Sequence, residues 1–169
     1  IDPVQYGSTI TDATTRSEVY DSNYAAMYYP WIQVPDKQTG KNRWVPPSVV
    51  MGGIYAFNDK VAQPWFAPAG LNRGGLTTVI QAERKLTQAN RDTLYESNVN
   101  PIATFPGQGV VVWGQKTLQK KASALDRVNV RRLLIKVKKF IAASSRFLVF
   151  EQNNAQTRER FLNIANPYL

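Results

Sequence analysis

Ten of the 21 Lys and Arg residues lie between Lys116 and Arg146, a stretch in which Asp126 is the only acid. Elsewhere the charges balance: residues 1–115 carry nine basic and nine acidic side chains, and residues 147–169 carry two of each. The net charge of +9 is therefore local, and a local basic segment asks for an acidic partner. At 100° per residue, Arg131, Arg132, Lys136, Lys138 and Lys139 fall on one side of a helix, with Ile135 among them. That side has no Glu or Asp four residues away to offset like-charge repulsion. A large apolar residue ringed by cations suits an interface core with a charged rim. The competing plain reading is a solvated helix face.

Side chains for bond-making chemistry are scarce. The chain has no His and no Cys. Ser-His and Cys-His nucleophile systems and ordinary zinc sites cannot be built without them. Disulfides are excluded too, which suits a reducing compartment. The twelve acids are scattered singly and form no suggestive pair. Gly70-Leu71-Asn72-Arg73-Gly74-Gly75 lacks the terminal Lys-Ser/Thr that a phosphate loop needs, and Gly40-Lys41 is followed by Asn42. Both read as plain loops, so no catalytic set, cofactor or metal is expected. Tyr24, Tyr28, Tyr29, Trp31 and Trp44 could form a stacking platform for bases or sugars. No cation interleaves Tyr28–Trp31, however, so core and hairpin packing is the better reading.

The length sets a prior of one domain, or one and a half, and 43% apolar residues can bury a core. No run of about 18 apolar residues is present, so no membrane insertion is expected. The start, Ile1-Asp2-Pro3-Val4, has neither a basic n-region nor an apolar run, so it does not read as a signal peptide. It also lacks an initiator Met, from which we expect a chain processed or cut from something longer.

The elements that would position these residues follow from local patterns. Residues 1–15 are polar and weakly patterned, an arm or linker, and Thr15 to Tyr24 reads as a short helix. Ala26 to Val34 is aromatic and β-branched, a strand with an edge or bulge at Pro30. Asp36 to Asn42 is turn chemistry, and Arg43-Trp44-Val45 pairs back as a hairpin. Pro46-Pro47-Ser48 opens a helix to about Asp59. Gly52-Gly53 inside it are costly, which predicts close approach of another backbone. Gln63 to Gly75 is a loop, and Thr87 caps a helix to about Ser97.

Ile102 to Phe105 and Val110 to Trp113 read as strands joined by a turn. The second is apolar on both faces and so reads as a covered central strand. Val128 to Ser144 is a helix, Phe147 to Phe150 a strand, and Ala155 to Ala165 a helix stopped by Pro167. Strand, helix, strand over 110–150 predicts a right-handed parallel crossover. On the long helix, Val130, Leu133, Leu134, Val137, Phe140, Ile141 and Ser144 should be buried against a sheet, at roughly 1.5–3 kcal/mol per fully buried apolar side chain. The expected class is α+β with an α/β-like core: a mixed sheet packed with helices, including a hairpin and that crossover.

Several strings stand in a particular order. They include Tyr28-Tyr29-Pro30-Trp31, Trp44-Val45-Pro46-Pro47-Ser48, Gly53-Ile54-Tyr55-Ala56 with Asp59, and Ala67-Pro68-Ala69-Gly70. Then come Asn98-Val99-Asn100-Pro101-Ile102, Phe105-Pro106-Gly107, Val112-Trp113-Gly114, Thr117-Leu118, Asn129-Val130-Arg131-Arg132-Leu133-Leu134, and Phe150-Glu151 with Asn153. From about Asp21 onward this order resembles the C-terminal half of contractile phage tail sheath proteins, those of T-even-like phages most closely. Gln108, Gln115 and Gln152 depart from it, standing where many relatives carry basic residues or, at 152, Pro.

The resemblance implies residues 1–20 as an arm or linker, 21–115 as part of the conserved core domain, and 116–169 as the start of a truncated inner, tube-facing domain. It implies a virion tail component, assembled in the host cytoplasm. Six-fold rings of the subunit would stack helically around the tail tube protein, with baseplate and tail terminator proteins at the ends. Arms from neighbouring subunits would add strands to each inner domain. Contraction by largely rigid-body movement would then drive the tube through the host envelope, without bond chemistry. Arg131, Arg132, Ile135, Lys136, Lys138 and Lys139 would face the tube or a neighbouring subunit. The competing reading is a nucleic-acid-binding module using the basic helix 127–146. It accounts for the charge but not for the ordered strings, so direct nucleic-acid contact is not expected of a sheath. An enzyme is a distant third.

Overall fold

A computed structural model describes Asp2 and residues 4–168. Ile1, Pro3 and Leu169, which the arm and inner-domain assignments include, lie outside the described residues. The chain divides into two compact units, one up to Arg131 and one from Arg132 onward. The division falls inside a helix.

The first unit is an α+β fold around a mixed three-stranded sheet. Its strands are β1 (Met27–Tyr29), β5 (Val99–Phe105) and β6 (Gly109–Val112), in the order β1-β5-β6. β1 runs parallel to β5, pairing Met27 with Val99 and Tyr29 with Pro101. β5 and β6 are antiparallel, pairing Ile102 with Val112 and Phe105 with Gly109. A second, antiparallel sheet has the order β3-β2-β4, from β2 (Ile32–Pro35), β3 (Asn42–Val45) and β4 (Gln81–Ala82). Three α-helices lie wholly within the described residues of the unit: α1 (Ile10–Glu18), α2 (Ser48–Val61) and α3 (Gln88–Glu96).

Strand alternation sends side chains of the first sheet into two cores. Tyr28, Ile102, Val110 and Val112 pack with Ile32, Leu76 and α2 residues Met51 and Ile54. Met27, Tyr29 and Val99 pack with Ala13 of α1, Leu94 of α3, Leu86 and Leu118. Helices therefore cover both faces of the sheet, and strands buried on both faces read as continuous apolar runs.

Several expectations hold. The hairpin pairs Ile32 with Val45 and Pro35 with Asn42. Its turn is organised by Asp36, whose carboxylate accepts from Gln38 N–H and Thr39 Oγ1 and pairs with Arg43 Nε at 2.9 Å. Those hydrogen bonds, chiefly the one from Thr39, hold the Asp36 carboxyl below its ordinary range. Thr87 caps α3 by accepting from Asn90 N–H, as predicted.

Others are corrected. Residues 4–18 do not run free as an arm. Trp31 Nε1 donates to the Val4 carbonyl, Tyr29 Oη donates to that of Ser8, and α1 places Ala13 and Ser17 in the interior. The helix is Ile10–Glu18 and not Thr15–Tyr24, because Thr9 and Asp12 close a reciprocal capping box. The single strand expected over Ala26–Val34 is two strands in different sheets, separated at Pro30, where the Tyr29–Pro30 peptide is cis. β5, not β6, is central. β6 closes one side of that sheet, and residues 74–76 line its outer edge: Leu76 N–H donates to the Val110 carbonyl and Val112 N–H to that of Gly74.

Gly52 and Gly53 are exposed, and a Cβ at either would meet nothing within 4 Å. The close backbone approach expected there is not made within this chain. Two helix-interior glycines then carry only their propensity cost, about 1 kcal/mol each relative to Ala. Gly52→Ala and Gly53→Ala should each raise stability by about 0.5–1 kcal/mol in urea melts. A loss would mean that the helix is packed more closely than its surroundings show. The close approaches are at Gly74, where a Cβ would lie 2.7 Å from the Val112 carbonyl oxygen, and at Gly114, 2.9 Å from Asn100 Oδ1.

The second unit holds most of α4 (Val128–Ser144), a 3-10 turn at Ser145–Leu148 and α5 (Ala155–Ala165). Asn154 caps α5 by accepting from Thr157 N–H, and Phe140 stacks on Tyr168 with ring centroids 3.6 Å apart. The strand expected at Phe147–Phe150 is absent. Phe147 and Phe150 are 82% and 103% exposed. The crossover over 110–150 is therefore not formed. The parallel pair joined through helices is β1 and β5, with α2 and α3 lying between them in the chain.

Candidate functional site

The basic helix α4 starts where Arg127 pairs with Asp126 and Val128 N–H donates to the Gln115 carbonyl. Its span, Val128–Ser144, is the one read from sequence, and it contains no acidic residue. The predicted interface residues do not form one surface. Arg131 is held against the first unit: its Nη2 donates to Asn23 Oδ1, and its guanidinium sits 4.1 Å from the centre of the Tyr24 ring. Arg132 and Lys136 are half-buried, while Lys138 and Lys139 are exposed beside Ile135, itself 37% exposed. What remains toward solvent is a short cationic stripe with one apolar residue in it.

The opposite side of α4 departs from expectation. None of its residues is buried; Val128, the one buried residue of the helix, falls on the cationic side at 100° per residue. Leu133, Val137, Phe140 and Ile141 are half-buried, and Leu134 is 42% exposed. Burial against a sheet, expected from the apolar periodicity, is not realised because the second unit contains no strand among its described residues.

Sequence reasoning missed a second group of cations. Lys116 Nζ donates to the Tyr95 carbonyl at 2.8 Å and lies 4.0 Å from the Tyr95 ring centre, while Arg127 donates to Tyr95 Oη. Burial, and then the neighbouring Arg127, push the Lys116 ammonium below its ordinary pKa. No local signal marks this group, because Tyr95 lies over 20 residues upstream of Lys116. Above it is a cleft of about 590 Å³ lined by Arg91, Asp92, Tyr95 and Trp113. Asp92 is its only carboxylate, so it holds no pair of acids for proton transfer. Among the described residues no cluster of three acids is placed to hold a metal ion, and no helix is long and apolar enough to cross a membrane.

The aromatic cluster follows the packing reading. Tyr28 and Tyr29 are buried, Trp31 and Trp44 are half-buried, and Tyr24 carries Arg131 on its face. A base-stacking platform would need open aromatic faces. Only Tyr24 stands well out of the interior, and its face is taken.

The family model described as the phage tail sheath protein central domain matches residues 5–118. The chain belongs to the phage tail sheath protein family. It is 40% identical over 172 residues to the tail sheath protein of Vibrio phage KVP40, covering all of this chain and 24% of the relative. It is 41% identical over 148 residues to that of Enterobacteria phage T4, covering 88% of this chain and 22% of the relative. The chain thus spans about a quarter of the length of these relatives. Among solved structures, it is similar to the sheath complex of an extracellular contractile injection system, PVC, in its contracted state. There the TM-score is 0.84 at 33% identity, over 99% of this chain and 46% of that one. The contracted helical sheath of the anti-feeding prophage gives a TM-score of 0.74 at 30% identity, over 89% of this chain and 40% of that one.

Proposed function

We propose that this chain acts as part of a structural subunit of a contractile phage tail sheath, one that polymerises around the tail tube and shortens to drive the tube through the host envelope. The observation that carries the proposal is fold similarity to a contracted sheath subunit along nearly the whole chain. The partners are further copies of the subunit in stacked six-fold rings, the tail tube, and baseplate and terminator proteins at the ends. The protein works in the virion tail, after assembly in the host cytoplasm. Residues up to 115 belong to the core domain of the subunit, and those beyond begin its tube-facing part.

The role of α4 is to hold, not to react. Lys136, Lys138 and Lys139, with Arg132 and Ile135, meet an acidic surface on the tube or on the adjacent subunit. Arg131 has a different task, anchoring the start of the helix on Asn23 and Tyr24. Exposed ion pairs are individually weak, about 0–1 kcal/mol, and are screened beyond about 8–10 Å. Repeated around and along a tube they sum to firm attachment, yet they separate together once subunits swing outward.

Incubation with purified tail tubes, followed by electron microscopy, tests the proposal on protein expressed from its complete reading frame. Hollow sheath along the tubes is expected. Bare tubes beside soluble protein across a range of salt would contradict it.

A further inference from the structure

The cleft beside Tyr95 carries binding chemistry that the sheath reading leaves unused. Its volume, about 590 Å³, lies within the roughly 300–1,000 Å³ of small-molecule sites. One wall is α3, which sets Gln88, Asp92 and Tyr95 on one face at i, i+4 and i+7. Trp113 and Gln115 line the cleft from the segment after β6. Trp113 is 42% exposed, and Phe105 supports it with ring centroids 4.7 Å apart. Arg91 in turn lies 5.5 Å from the centre of the Phe105 ring and donates to the Leu86 carbonyl. Gln115 is oriented by Asn129 N–H, which donates to its Oε1. Among the described residues, the side chains of Gln88 and Asp92 and the Nε1 of Trp113 have no hydrogen-bonding partner.

We propose that this cleft binds a neutral saccharide. Charge selects neutrality. Arg91, the one cation among the described lining residues, is engaged by Leu86 and Phe105. The two cations nearby are engaged as well, Lys116 by the Tyr95 carbonyl and Arg127 by Asp126 and Tyr95. No free cation is left there to hold a phosphate or carboxylate, and the unpartnered Asp92 repels either. A cationic ligand would meet Arg91 inside the cleft. What remains is an open indole beside uncharged donors and a carboxylate that accepts. A sugar ring suits that set. Its C–H face lies on an aromatic surface, and its hydroxyls both donate and accept. Two neighbouring hydroxyls can donate to the two oxygens of Asp92, while others accept from Gln88, Gln115 and the Trp113 N–H. Glycoside cleavage ordinarily takes two carboxyl groups. This cleft has one, so it binds a saccharide without hydrolysing it.

The proposal is independent of the sheath reading, and its test reads binding alone. Protein expressed from its complete reading frame is applied to an array of neutral, sialylated and sulfated glycans. Each glycan retained is then titrated by calorimetry, with and without adenosine as a competitor for the indole. Binding to neutral glycans only, undisturbed by an equal concentration of adenosine, is expected. Preference for the anionic glycans, displacement by adenosine, or no glycan bound at about 10 mM would overturn the proposal. Trp113→Ala should weaken binding by about tenfold or more, and Trp113→Phe, which keeps an aromatic face, by less. Asp92 is exposed and unpartnered, so Asp92→Asn leaves the fold intact. That variant should retain the anionic glycans that the unmodified protein rejects. Neutral-glycan binding unaltered by Trp113→Ala, or selectivity unaltered by Asp92→Asn, would place the saccharide outside this cleft.

Discussion

Replacing Lys136, Lys138 and Lys139 together by Glu should leave the protein folded and abolish assembly of extended sheath on tail tubes. The substitution reverses three charges on a stripe that α4 presents with no acid of its own. Lys138 and Lys139 are exposed, so their loss removes little that the fold uses. Each cation contributes about 0.2–1 kcal/mol to an exposed pair. Three reversals on every subunit turn that attraction into repulsion at each repeat, and the effect multiplies along the polymer. Circular dichroism and thermal melting should match the unmodified protein, while sedimentation with tubes should fall to background at low and at high salt. Normal extended sheath from the triple variant would mean that the stripe is only solvated.

Asn100→Ala should be the most destabilising single substitution considered. Asn100 is fully buried and ties three segments together. Its Nδ2 donates to the carbonyls of Met27 in β1 and Lys116 in the following loop, and its Oδ1 accepts from Lys116 N–H at 2.6 Å. Alanine keeps the backbone and strands two carbonyls and one N–H in the interior. An unsatisfied buried group costs about 1–3 kcal/mol, so a loss of about 3–6 kcal/mol is expected in urea titrations. Against a total stability of about 5–15 kcal/mol for an ordinary domain, that brings the protein close to unfolding. A loss under about 1 kcal/mol would show that water replaces the side chain and that the segments do not depend on it.

What the sequence made legible is what local chemistry decides. Thr87, the Asp36–Asn42 turn and the 3.6-residue pattern of α4 and α5 each act within a few residues, and the elements lie where those signals put them. The misses are non-local. Nothing near Met27 says that β1 pairs in parallel with Val99, 72 residues later, or that Asn100 closes the junction. The aromatic run 26–34 reads as one strand because propensity does not see the change of sheet at Pro30. Phe147–Phe150 has strand composition, but a strand exists only beside another, and the described residues of the second unit form no strand to pair with it. The glycines of α2 read as packed because their helix cost suggests a purpose, yet a Cβ at either meets nothing within 4 Å. The cationic stripe itself was legible from spacing. That Arg131 leaves it was not, since Asn23 and Tyr24 are more than 100 residues away.

A helical reconstruction by electron microscopy of the protein assembled on tail tubes tests the central claim most directly. The account predicts copies of the first unit repeated six to a ring around the tube, with Lys138 and Lys139 turned toward an acidic surface of the tube or of the next subunit. Disordered aggregates in place of a helical array, or an array in which those two lysines face open solvent on every copy, would contradict it.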